Sequence, residues 1–222
     1  MRPTPDEPRD FDLPGVAPSR QKRSRETTLA LLRAGAGMLR TRSLAELSIE
    51  ALCTEVGATV GAFYSRFESK EAYFNALMAL AARDGEQRLQ EIRRPSSDTA
   101  LDTLCTIIVS GIIAWMRNHE GVLRAALQHD DTRPGTWSPF KALAKATTIR
   151  ATPLLLPAMR KGRKAAKTRA IAFGFQVVLG TLVNAILNDP GPLSLSAKEM
   201  ETRLAGCLLL LLQAEARHPT PR

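Results

Sequence analysis

Tyr64, Arg66 and Lys70 stand close together in the stretch GATVGAFYSRFESKEAYF, residues 57–74. A phenol hydroxyl, a guanidinium and an ammonium so spaced form a donor set suited to phosphate oxygens. No comparable set for acid–base, nucleophilic or metal chemistry occurs in the sequence. Cys53, Cys105 and Cys207 are far apart in apolar contexts, and read as free thiols packed in a reducing compartment. His119, His129 and His218 form no ligand pattern. With no nucleophile–base pair, metal cluster or phosphate loop, the sequence points to no enzyme, no metal and no cofactor.

The donors need elements to hold them. Val60, Phe63 and Phe67 fall at three- and four-residue steps, which puts Phe63 and Phe67 on one helical face. That face points into a small core with the first and fourth helices, while Tyr64 and Arg66 point away. Lys70 opens the fourth helix, whose N-terminus itself favours phosphate. Upstream, Leu29, Leu32, Ala36 and Leu39 give the first helix, residues 24–41, one apolar face. After a break over 41–47, Ser48 caps a second helix with Glu50 in its first turn and Ile49, Leu52, Cys53 and Val56 inward. Gly57 ends that helix. Thr59 caps a third, ending near Phe67, and Ser69 caps a fourth that runs to about Ile92. Two helices joined as tightly as the second and third cross steeply, as in a helix-turn-helix. Its second helix lays N-terminal residues in the major groove, where base edges are distinguishable.

The same stretch resembles the signature of the TetR family around its recognition helix. The shared residues are Gly57, Thr59, Gly61, Phe63-Tyr64, Phe67 and Ser69-Lys70-Glu71. The resemblance spans roughly residues 24–80. It implies an all-α chain, with a three-helix DNA-binding domain followed by a larger helical domain that binds a ligand and dimerises. It also implies that Thr59, Val60, Gly61, Ala62, Tyr64, Ser65, Arg66 and Lys70 face DNA, and that Ser48 touches phosphate. Val60 stands where a polar or basic residue is common, and Ala62 where a hydroxyl is common, so thymine methyls become candidate contacts. Ser43 replaces a usual loop glycine.

The remainder of the chain reads as helix. Helices are expected over 99–118, 120–129, 140–149, 165–187 and 196–215, with breaks at Pro95 and Pro139 and breaks or kinks at Pro153 and Pro157. The helix over 165–187 is apolar nearly all round, and the last helix has the same character. Two such helices can meet the same pair of a second chain, and Phe175, Val178, Leu182, Leu204, Leu208 and Leu211 are the candidate dimer contacts. Trp115, Met116, Trp137, Phe140, Phe173 and Gln176 are candidate linings for a small apolar or amphipathic ligand.

The expected organisation is a proline-rich disordered tail over 1–19, a DNA-binding domain over 20–70 and a regulatory and dimerisation domain over 71–217. The balance of 31 Lys and Arg against 22 Asp and Glu favours an anionic partner without naming it. The cluster Arg20, Lys22, Arg23 and Arg25 reads equally as an arm on nucleic acid or as a solvated helix start. No signal peptide is read at the N-terminus. The apolar run Leu204–Leu212 is too short to span a bilayer, so no membrane partner and a cytoplasmic location are expected. The reading is a homodimeric, ligand-responsive repressor on double-stranded DNA with a two-fold related site. The alternative is a constitutive or architectural DNA-binding factor without a ligand.

Overall fold

The computed structural model describes residues 13, 14, 16, 22–92, 99–130, 133–160, 162–189 and 191–214. Among them the chain forms eight helices and no strand beyond an isolated bridge between Val16 and Phe67. Contacts divide it into two compact units, Met1–Arg83 with Gly121–Ala126, and Asp84–Glu120 with Leu127–Arg222.

The first unit holds α1 (Lys22–Met38), α2 (Ile49–Val56), α3 (Val60–Tyr64) and the first part of α4 (Lys70–Glu91). Leu31, Leu32, Leu39, Leu52, Phe63, Phe67 and Tyr73 fill its core. Each fully buried aliphatic or aromatic side chain contributes about 1.5–3 kcal/mol. Tyr73 packs tilted against Phe63 and edge-on against Phe67, at centroid distances of 5.2 and 4.9 Å. Its hydroxyl donates to the Leu31 carbonyl at 2.7 Å, which satisfies the polar end of a buried ring. α1 admits that ring through Gly35, where a Cβ would lie 1.7 Å from the Tyr73 hydroxyl oxygen. After α1, Ser43 and Glu46 bond reciprocally: the Ser43 amide and hydroxyl donate to Glu46 Oε2, and the Glu46 amide donates to Ser43 Oγ. These bonds give Ser43 a defined place where a glycine is usual.

α5 (Leu101–Asp130) lends the stretch Gly121–Ala126 to this unit. A Cβ at Gly121 would sit 2.4 Å from the Leu39 carbonyl carbon. Arg124 Nη2 donates to the carbonyls of Leu39 and Arg40 at 3.2 and 2.6 Å, meeting acceptors that a helix end leaves open. The expected disordered tail lies mostly outside the described residues, but two of its members are seated. Leu13 is buried and Val16 pairs with Phe67.

In the second unit α7 (Lys164–Asn188) packs against both α6 (Ser138–Ala158) and α8 (Lys198–Ala214). Two expected boundaries are corrected. α5 is a single helix through residues 118–120, where no side chain breaks the ladder and His119 is held by Asp84 at 2.9 Å. α6 continues through Pro153 and Pro157. Each proline withholds one amide from the ladder, yet buried Ala151 and Leu155 keep the segment packed. The Thr147, Thr148 and Thr152 hydroxyls each donate to a carbonyl four residues back. α7 is long and apolar enough to cross a membrane by length and composition. Eight of its residues are buried in the unit, among them Ile171, Phe175, Val178 and Leu182. Arg117 of α5 fastens α8: it donates to Glu201 Oε1 at 2.6 Å and to the carbonyls of Leu195 and Ala197.

Candidate nucleic-acid interface

The turn between α2 and α3 is set by local chemistry. Gly57 adopts φ 67° and ψ 30°, a left-handed conformation that costs glycine little. The Ala58 amide donates back to the Cys53 carbonyl at 2.9 Å, and the Cys53 thiol lies 3.5 Å from the Thr59 carbonyl. Thr59 is extended, and its hydroxyl accepts from the Ala62 amide at 3.0 Å. Bonds from the Arg66 and Phe67 amides to the Phe63 carbonyl carry helical turns past the end of α3.

Phe63 and Phe67 are fully buried. The opposite side is open: Val60 is 38% and Tyr64 53% exposed, Thr59, Gly61 and Ser65 are exposed, and Ala62 is half-buried. The Tyr64 ring stands edge-on to Phe63 at 5.3 Å, which braces the ring and leaves the hydroxyl outward. A Cβ at Gly61 would meet only Thr59 Oγ1, at 3.9 Å. Lys70 is half-buried and donates one hydrogen bond to the Ala45 carbonyl at 3.1 Å, leaving two N–H donors of its ammonium. The Ser48 hydroxyl is engaged twice. It accepts from the Ala51 amide at 3.2 Å and donates to Glu50 Oε2 at 2.8 Å. That hydroxyl holds the Glu50 carboxyl below its usual range, so a negative charge sits beside Ser48. Arg66 is folded back onto the protein, with bonds to Ala62, Ser65 and Ser24.

Residues 31–77 match the family profile described as bacterial regulatory proteins, tetR family. The match covers the core of α1, the turn, α3 and the opening of α4. That stretch of the chain is thus similar to the tetR family of bacterial regulatory proteins. The fold agrees with a solved TetR-family regulator from Streptomyces coelicolor at a TM-score of 0.65 and 16% identity, over 88% of this chain and 84% of that one. It also agrees with a protein assigned to the same family from Rhodococcus sp., at a TM-score of 0.61 and 14% identity, over 84% of this chain and 99% of that one. None of the curated proteins compared matches the chain.

The other expected sites lie in the second unit, and the structure redistributes them. Trp115, Met116 and Phe140 are buried. Trp137 and Trp115 meet Phe140 at centroid distances of 4.8 and 6.1 Å, so these rings do gather. Phe173, 55% exposed, and Gln176, also exposed, lie on the open side of α7. A surface depression of about 640 Å³ lies elsewhere, bounded by Pro192, Leu193, Ala197, Lys198, Glu199 and Arg203. Phe175, Val178, Leu182, Leu204 and Leu208 are buried within the protomer, and Leu211 is half-buried. The first five are core of the unit and not a free dimer face. α7 and α8 meet closely there, since a Cβ at Gly174 would lie 2.6 Å from Leu208 Cδ1. The open apolar stripe is the other one, with Phe173 and Leu187 on α7 and Leu210 on α8 exposed.

The excess positive charge is concentrated in the second unit. No Asp or Glu occurs between Asp131 and Asp189, whereas Lys141, Lys145, Arg150, Arg160, Arg163 and Lys164 there are exposed.

Proposed function

We propose that the protein is a homodimeric repressor that reads a two-fold related DNA site and releases it when a small apolar or amphipathic molecule binds. The observation that carries the reading is the recognition helix itself. It is capped at Thr59, anchored from behind by Phe63 and Phe67, and open along Thr59, Val60, Gly61, Tyr64 and Ser65. Val60 and Ala62 offer apolar contact to thymine methyls. Tyr64 and Lys70 hold the flanking phosphates. Ser48 contacts phosphate only after Glu50 releases its hydroxyl.

Residues 20–70 serve as the DNA-reading domain and 71–217 as the regulatory one. The second copy docks on the open stripe of Phe173, Val177, Gly180, Leu187 and Leu210. Around Gly180 nothing lies within 4 Å of an added Cβ, which leaves room for a facing helix. A ligand that prefers the conformation with separated reading domains shifts the population away from DNA, and α4, which runs through both units, transmits the shift. The protein acts in the cytoplasm. A constitutive factor without ligand is the second reading, favoured by the close gathering of Trp115, Trp137 and Phe140.

Selection of bound sequences from random duplex DNA tests the first claim. A palindromic consensus is expected, and no enrichment refutes it. Tyr64→Ala and Lys70→Ala then weaken binding to that consensus with little change in melting temperature. Light scattering gives the oligomeric state, and Phe173→Glu returns a monomer. A thermal-shift screen of small apolar compounds separates the repressor from the constitutive factor.

A further inference from the structure

We infer that Arg66 is a positioning residue, which fixes the recognition helix to α1 and makes no phosphate contact of its own; the inference rests on the DNA-binding reading above. α3 has five residues, too few to stay helical without outside support. Thr59 supports its first turn. Arg66 supports the other end. Nη1 donates to the Ala62 carbonyl at 2.5 Å and to Ser65 Oγ at 3.2 Å. Nη2 reaches Ser24 Oγ on α1 at 3.3 Å, across 42 residues of sequence. Nε is shut off from solvent without a hydrogen-bond partner.

A guanidinium offers its donors in a rigid planar fork. Here one arm closes the recognition helix, the other joins it to α1, and the inner edge is enclosed. These bonds use both hydrogens of Nη1 and one of the two on Nη2, so a two-pronged grip on a phosphate would require breaking them. Tyr64 and Lys70 need no such rearrangement, since the ring of Tyr64 is exposed and Lys70 has donors to spare. Arg66 therefore sets the angle at which Val60, Gly61 and Tyr64 are presented. Phe67, the next residue, forms an isolated backbone bridge with Val16.

The test is a salt series of equilibrium binding to the DNA selected by the wild type, with Arg66→Ala, Arg66→Lys, Ser24→Ala, the double variant Arg66→Ala/Ser24→Ala, and Lys70→Ala as the phosphate-contact control. Each phosphate contact contributes about 0.9 to the slope of log K against log salt. Arg66→Ala is expected to weaken binding about tenfold with the slope unchanged. Arg66→Lys, which keeps the charge and loses the fork, should bind no better than Arg66→Ala. Ser24→Ala should weaken binding less, and the double variant should bind no more weakly than Arg66→Ala alone. A slope reduced by about 0.9 in Arg66→Ala, or near wild-type binding by Arg66→Lys, overturns the inference and makes Arg66 a direct contact. Additive loss in the double variant overturns the tie to α1. A wild type that selects no DNA removes the underlying reading instead, a result visible before any variant is measured.

Discussion

Replacing Gly61 by Ala should make the free protein more stable and its DNA complex weaker. A glycine inside a helix costs about 0.5–1 kcal/mol relative to alanine. Within the protein nothing demands it, because the added Cβ would have only Thr59 Oγ1 nearby, at an ordinary contact distance of 3.9 Å. Gly61→Ala should therefore gain up to about 1 kcal/mol, a rise in melting temperature of about 2–4 °C for a chain of this size. Both proteins must be compared at one concentration, since self-association raises apparent stability. Outward, the methyl group projects from the exposed side of α3, where a duplex would approach closely. Overpacking at a close contact costs about 1–3 kcal/mol, which is roughly ten- to a hundredfold in affinity. Differential scanning fluorimetry and fluorescence anisotropy on a selected duplex read the two effects. A more stable variant that binds as tightly as the wild type would show that this face does not meet DNA. A less stable variant would show that the space around Gly61 is not open.

Tyr73→Phe should lower stability by about 0.5–1.5 kcal/mol, because it removes the hydrogen bond from the buried hydroxyl to the Leu31 carbonyl; urea denaturation measures it, and a loss below 0.3 kcal/mol (roughly the resolution of additive comparisons) would contradict the hydrogen bond. Arg117→Ala should release the start of α8, which Arg117 fastens through Leu195, Ala197 and Glu201, so hydrogen exchange should speed up at residues 195–201; unchanged exchange there argues against the clamp. Asp84 gives a pH prediction. Burial alone would raise its pKa, but hydrogen bonds from His119 and Arg88 outweigh that and hold the carboxyl below 3.8. A depressed carboxylate stabilises the fold above the unfolded value and loses that contribution as pH falls through the folded one. The stability gap between wild type and Asp84→Asn should thus be full at neutral pH and shrink below 3.8, measured by thermal melts from neutral to acid pH; a gap that is constant with pH would refute it.

The parts of the fold legible in the sequence are those decided by neighbours in the chain. Gly57, Thr59, Ser48 and Ser69 act on backbone groups within three or four residues, and each stands where its chemistry placed it. Phe63 and Phe67 are inside because a helix repeat put them on one face. What spacing does not contain is the partner from elsewhere. Gly35 looks like a weak point of α1 until Tyr73 is seen to fill the gap. Arg66 has the type and the place of a phosphate ligand, and only Ser24 and the Ala62 carbonyl show how it is used. Gly121, next to the expected break in α5, instead permits close approach to Leu39. For α7 the sequence offers two apolar stripes, and periodicity alone does not say which one its own protomer covers. The net positive charge is a similar case, since it suggested an anionic partner without saying that most of the excess sits on α6 and α7.

The loan of Gly121–Ala126 to the first unit bears on any attempt to isolate that unit as the proposed DNA-reading head. Cutting the gene after α4 would leave the carbonyls of Leu39 and Arg40, just past the end of α1, without the arginine that closes them, and would open a furrow where Gly121 lay. The head is thus completed by chain synthesised some forty residues later, as the span from Arg83 to Gly121 shows. Folding during translation would have to wait for that piece, and a shortened fragment would be a poor stand-in for the whole protein.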